Sequence, residues 1–176
     1  MSKVHDYIKA LVDVDGPYDG VIGFSEGASL AAAVLLEDAS NRNKYSAPMF
    51  RFAVFFNAVN LFSPLTGLGE RMLECDLLSA MDTFIQGESI NHYPALDCVY
   101  ALRVNTVPAL ISVPTLHVIG LNDPFRSRSE ELVKLCEGRS AMVVRSTAGH
   151  EMPRGRSLAE VARKLDMMIT AELTAT

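Results

Sequence analysis

Three residues of this 176-residue chain could together act as nucleophile, base and acid: Ser25, His150 and Asp123. Ser25 is centred in Gly23-Phe24-Ser25-Glu26-Gly27, between the apolar run Val21-Ile22-Gly23 and an alanine-rich stretch beginning at Ala28. This G-x-S-x-G pattern is the sequence form of a nucleophile elbow, in which a strand turns directly into a helix and pushes the serine hydroxyl outward. The turn predicts that Gly23 and Gly27 lie where strand and helix pass too close for side chains. The pattern alone carries little weight. Three fixed positions at roughly 7% usage each give about one chance match in twenty chains this long, and a glycine-rich turn without chemistry would look the same. A serine nucleophile also needs a histidine base, and an acid to orient that histidine.

In α/β sheets, functional groups collect in loops at the carboxyl ends of strands. Two loops qualify. Gly120-Leu121-Asn122-Asp123-Pro124 follows the apolar run Pro114 to Gly120, and Ala148-Gly149-His150-Glu151-Met152-Pro153 follows Ala141 to Arg145. The resulting order of serine, acid and histidine is that of α/β-hydrolases. Competing residues are less well placed. His117 lies inside a strand and reads as a core or sheet-face histidine, and His5 lies on the N-terminal helix, where solvation explains it. His92 and Asp97 fall in a stretch where no strand end positions them. Asn122-Asp123-Pro124 is also good turn chemistry, but Ser25 and His150 in matching places favour the catalytic reading of Asp123.

The elements that must hold these residues follow from periodicity. Val4, Tyr7, Ile8, Leu11 and Val12 recur at helical spacing until Gly16-Pro17. Tyr18 to Gly23 supplies the first strand and Glu26 to Asp38 the helix after it, where Ala28, Ala31, Ala32 and Ala33 give high propensity and permit close packing. Arg51 to Asn57 is a continuous apolar run, as expected of a strand buried on both faces. Residues 60–112 mix helical fragments with Gly67, Gly69, Gly87, Pro94 and Pro108, and read as a cap or lid inserted into a single domain spanning 1–176. Beyond it come a strand at 114–120, a helix over Ser127 to Glu137 capped by Ser127 or Ser129, a strand at 141–145 and a closing helix at 155–173. The closing helix carries Leu158, Val161, Leu165, Met168 and Ile169 on one face. Strands alternating with helices predict a parallel sheet with right-handed crossovers.

Composition restricts the partners. The chain is 49% hydrophobic and 21% charged with a net charge of −5, and it has no basic run, which argues against nucleic acid. Its longest apolar stretches, such as Leu30 to Leu36, fall far short of the ~18 residues a membrane span needs. Cys75, Cys98 and Cys136 are widely spaced, form no C-x-x-C pair, and suit reduced, buried thiols. With no signal-like start, this predicts a cytoplasmic protein with neither metal nor cofactor.

At this point the sequence resembles the fungal FSH-type serine hydrolases, OVCA2-like members of the α/β-hydrolase family. The resemblance rests on Gly16 to Ala28, on Pro114 to Pro124 and on Gly149-His150-Glu151-Met152-Pro153-Arg154, and extends from about residue 4 to 165. It implies an α/β-hydrolase-type parallel sheet with flanking helices, Ser25, Asp123 and His150 as the catalytic triad, and esterase or thioesterase chemistry. Some relatives release polyketide chains from a synthase, so a role in secondary metabolism is also implied. Glu26 stands where glutamine is more usual, and its backbone N–H would supply one oxyanion donor.

Relatives of this fold place further strands and a His-Gly oxyanion loop before the elbow. Here 24 residues precede Ser25, and the sequence holds no His-Gly pair. The expectation is therefore an N-terminally shortened hydrolase lacking one oxyanion donor, a loss that costs about 10²–10³ in turnover. Its elbow strand Val21-Ile22-Gly23-Phe24 would form an exposed edge that pairs with a second copy or a partner chain. The substrate expected is a small-molecule ester or thioester, with Phe62, Leu65, Leu68, Met72, Phe84 and Tyr93 of the lid facing an apolar acyl group. Two other readings use the same residues. One is a catalytically impaired, hydrolase-like interaction subunit. The other is non-hydrolytic acyl transfer, elimination or cyclisation at the same site.

Overall fold

A computed structural model describes residues 2–41, 47–59, 69–71, 100–102 and 111–174. In chain order the elements are α1 (Ser2–Asp15), β1 (Gly20–Phe24), α2 (Glu26–Asn41), β2 (Phe52–Phe56), β3 (Gly69–Arg71), β4 (Tyr100–Leu102), β5 (Thr115–Gly120), α3 (Arg126–Val133), β6 (Ala141–Ser146) and α4 (Gly155–Thr174). Strands β1, β2, β5 and β6 form one sheet in that order, every neighbouring pair parallel. This is the α/β architecture expected from the alternation of apolar runs and helical segments.

Strand pleating divides the core between the two faces of the sheet. Ala53 and Phe55 point to one side, where Ala28, Ala31, Ala32, Leu35, Leu132 and Leu135 of α2 and the α3 region cover them, joined by Ile8 and Val12 of α1. Phe52, Val54 and Phe56 point to the other side, with Leu116, Val118 and Val144, and meet Val161, Leu165, Met168 and Ile169 of α4. Burial on both faces explains why β2 reads as an unbroken apolar run rather than an alternating one.

The last strand to be covered is β1. Val21 packs into the first core, but Ile22 and Phe24, in register with Val54 and Phe56, are 61% and 40% exposed. Helix α4 lies over β6, β5 and β2 instead. Among the described residues β1 pairs only with β2 and forms one edge of the sheet.

Three local expectations need correction. The helix expected over Ser127 to Glu137 ends at Val133. Lys134, Leu135 and Cys136 each bond the carbonyl three residues back, tightening the last turn, and Glu137 N–H then donates to Ile111 O. This turn buries Leu135 and brings Cys136 into a parallel bridge with Ile111. Neither Ser127 nor Ser129 caps the helix. The N-cap is Phe125, without a side-chain cap, and Ser129 is buried, donating to Ala58 O at 3.0 Å. Finally, Leu158 in the first turn of α4 is 47% exposed, whereas Val161 and Met168 are buried.

Most of the expected lid lies outside the described residues, including Phe62, Leu65, Leu68, Met72, Phe84 and Tyr93. Within it, β3 and β4 form an antiparallel pair with Glu70 opposite Ala101, and Ile111 near its end is buried in the first core.

Candidate active site

Three strand ends converge. At the end of β1, Ser25 adopts φ 57, the left-handed region that few non-glycine residues enter. Its N–H donates to Phe56 O at 2.9 Å, tying the turn to β2. Its carbonyl accepts from Ala28 N–H and Ser29 N–H, so α2 begins at once. Ser29, buried behind the turn, also directs its hydroxyl to Ser25 O at 3.4 Å.

The two elbow glycines are not equivalent. A Cβ on Gly23 would strike Gly27 O and lie 2.5 Å from Ala28 N, so the strand cannot carry a side chain there. A Cβ on Gly27 would meet nothing within 4 Å. The expectation that both are sterically required holds for Gly23 only, because Gly27 faces outward from the first turn of α2.

Asp123 occupies the turn after β5. Its N–H donates to Gly120 O, its carbonyl accepts from Arg126 N–H, and its Oδ1 accepts Phe125 N–H at 2.8 Å. His150 occupies the loop after β6. The two loops are joined directly: Asn122 N–H donates to Ala148 O at 3.1 Å and Asn122 Nδ2 to Thr147 O at 2.7 Å. Gly120 permits this approach, since a Cβ there would collide with Gly149 O and stand 2.8 Å from Ala148 O.

The resulting chain of side chains is continuous. Ser25 Oγ lies 2.8 Å from His150 Nε2, and His150 Nδ1 lies 2.9 Å from Asp123 Oδ2. An ionised carboxylate can only accept, so Nδ1 carries the imidazole proton and Nε2 is left to accept the serine O–H. The Asp123 side chain is almost fully buried and that of His150 largely so. Phe24 and Phe125 flank the imidazole, with ring centroids 5.3 and 5.5 Å from it. Sequence reasoning missed both rings. Their signal was adjacency alone: one precedes the serine, and the other follows the acid by two positions.

Glu26 is the first residue of α2, so its N–H has no intrahelical acceptor and sits at the positive end of the helix dipole, beside the serine. The other histidine resolved in detail is His117, a buried sheet-face residue as expected. Its Nε2 lies 3.1 Å from Thr115 Oγ1, it tilts against Phe55, and among the described residues its Nδ1 has no hydrogen-bond partner. Burial lowers its pKa to about 4. Cys136 is a free, buried thiol pushed up to about 12 by burial, with a Thr115 hydrogen bond acting in the opposite sense. His5 lies on α1. His92, Asp97, Cys75 and Cys98 lie outside the described residues. Among the described residues, no group of three or more His, Cys, Asp or Glu side chains could hold a metal ion, and no helix is long and apolar enough to cross a membrane.

Residues 1–161 match the family described as serine hydrolase (FSH1). The chain is similar to esterase FPY3 of Fusarium mangiferae, with 30% identity over 158 residues that cover 89% of this chain and 59% of the relative. It is also similar to hydrolase FUB4 of Fusarium oxysporum, with 27% identity over 182 residues, covering 88% and 67%. The chain thus spans about three-fifths to two-thirds of these relatives' lengths. Among solved structures it resembles a fungal esterase from Rhizomucor miehei (TM-score 0.63, 13% identity, 99% of this chain and 60% of that one). It also resembles a monoacylglycerol lipase from Paleococcus ferrophilus (TM-score 0.58, 11% identity, 96% and 75%). Both structural likenesses concern the fold, which is that of α/β-hydrolases.

Proposed function

Because the chain belongs to the serine hydrolase (FSH1) family, we propose that it cleaves an ester or thioester through Ser25, His150 and Asp123. The observation that carries this reading is the unbroken relay from Ser25 Oγ through His150 to Asp123, at 2.8 and 2.9 Å. In the proposed cycle, His150 Nε2 takes the serine proton as Oγ attacks the carbonyl carbon. Asp123 holds the imidazole in the required tautomer and stabilises its cation. Glu26 N–H donates to the developing oxyanion. The protonated His150 then gives its proton to the departing alcohol or thiol, leaving an acyl-enzyme. Water, deprotonated by the same Nε2, attacks the acyl carbon, and the proton returns to Oγ as the acid is released.

Relatives named esterase and hydrolase support ester chemistry, and the family resemblance supports an acyl chain of secondary metabolism as substrate. The test is labelling by a fluorophosphonate probe together with turnover of short-acyl nitrophenyl esters. The wild-type chain is expected to label and turn over, and Ser25→Ala to lose both, turnover falling by more than about 10³-fold. A wild-type chain that does neither removes the enzyme reading and leaves the interaction subunit in its place. Product analysis separates hydrolysis from acyl transfer, since only hydrolysis releases the free acid.

Ile22 and Phe24 lie exposed on β1, which carries no charge or proline to discourage pairing. We infer that a second copy of the chain adds its own β1 there.

A further inference from the structure

We propose that Asn57 is a positioning residue for the Ser25–His150–Asp123 site, an inference that rests on the hydrolase function proposed above. Asn57 follows β2, the one strand of the parallel sheet whose end carries none of those three residues. It sits at φ 48, a conformation asparagine tolerates better than most residues, and it is 1% exposed.

Within that burial both ends of the side-chain amide are hydrogen-bonded. Its Oδ1 accepts Gly120 N–H at 2.9 Å. Its Nδ2 donates to Glu151 O at 2.9 Å and, more weakly, to Gly149 O at 3.4 Å. Gly120 ends β5, three residues before Asp123, and Gly149 and Glu151 flank His150 on both sides. Its own N–H donates to Val118 O at 3.0 Å, and the carbonyl just before it, Phe56 O, holds Ser25 N–H. A single amide therefore links the acid strand to the histidine loop at a point fastened to the nucleophile turn. The next residues extend the linkage: Ala58 O accepts from Ser129 of α3, and Val59 N–H donates to Ser29 Oγ of α2.

The chemistry at this point suits an amide. Gly120 N–H needs an acceptor and the two loop carbonyls need donors, and a side-chain amide supplies one acceptor and two N–H donors from one planar group. Glutamine would do so one methylene further out. The available signal in the sequence was the residue type at a strand's carboxyl end, the same location that singled out Asp123 and His150.

Two variants of the full chain test the proposal. Asn57→Asp is isosteric, tolerates the same φ and keeps the acceptor for Gly120, but it turns an oxygen toward the Gly149 and Glu151 carbonyls. Asn57→Gly removes both arms while permitting the left-handed backbone. Thermal melting establishes that each is folded. The readouts are kcat and KM for a nitrophenyl ester, and the proton resonance of His150 Nδ1, assigned by its loss in His150→Gln. The expected result is a kcat lowered about 100-fold by the displaced imidazole, a KM within about 3-fold of wild type, and a shifted or broadened resonance in both variants. A kcat within about 3-fold of wild type, or a lost kcat with an unchanged resonance, overturns the proposal. Failure of both variants to fold would make Asn57 a residue of the fold and not of the site, and overturns it too. If the wild-type chain cleaves no ester, the hydrolase reading fails, and the resonance alone decides the role of Asn57.

Discussion

His117 and His150 are the same side chain under opposite instructions. His150 has a carboxylate on one nitrogen and a hydroxyl on the other. His117 has only Thr115 on one nitrogen and apolar packing around the rest. Burial holds the folded imidazole of His117 near a pKa of about 4, while in the unfolded chain it titrates near the ordinary value of about 6.5. Between those values the unfolded chain binds the extra proton. Stability is therefore full above pH ~6.5, declines as pH falls toward ~4, and loses on the order of 3 kcal/mol from this residue across that window. Urea denaturation at several pH values is expected to show the decline. His117→Gln, which keeps a polar partner for Thr115 but cannot titrate, is expected to flatten it by about that amount.

At the scale of elements, the elbow makes an asymmetric prediction. Gly23→Ala forces a methyl group into the backbone of α2 and is expected to destabilise the chain by at least about 1–3 kcal/mol. Gly27→Ala meets open space in the first turn of a helix and is expected to stabilise it, by up to about 1 kcal/mol. Denaturation midpoints of the two variants check both signs. The G-x-S-x-G pattern treated these positions alike, because a pattern cannot say which glycine lies at the contact between strand and helix. Much else was legible. That Ser25, Asp123 and His150 would meet was readable because each follows a strand, where polar residues stand out from the packing. The early end of α3 was hidden, since the pull of Ile111 on Cys136 comes from a distant part of the chain. The same applies to Asn57, whose partners at Gly120, Gly149 and Glu151 are strangers in sequence, and to Leu158, which shares the helical phase of buried Val161 yet is 47% exposed.

Among the described residues the sheet ends in two edge strands, β1 and β6, and β1 is the one that leaves Ile22 and Phe24 exposed. If the open border at β1 takes a second copy, the chain is expected to run in sedimentation as a dimer at high concentration. Ile22→Lys would place a charge on that strand and is expected to return a folded monomer, and a wild-type chain that stays monomeric removes the pairing proposal. The bond between Ser25 and His150 has a different implication, one about time. It joins positions 125 residues apart and depends on β6, which follows the sheet's other described strands in the chain. Contacts of such long range form late, after the local helices and the first strand pairs have closed smaller loops. During refolding, recovery of probe labelling at Ser25 should therefore lag behind recovery of helical signal. On the proposed function, a partly folded chain would carry Ser25 without His150 beside it until nearly the whole sheet is assembled.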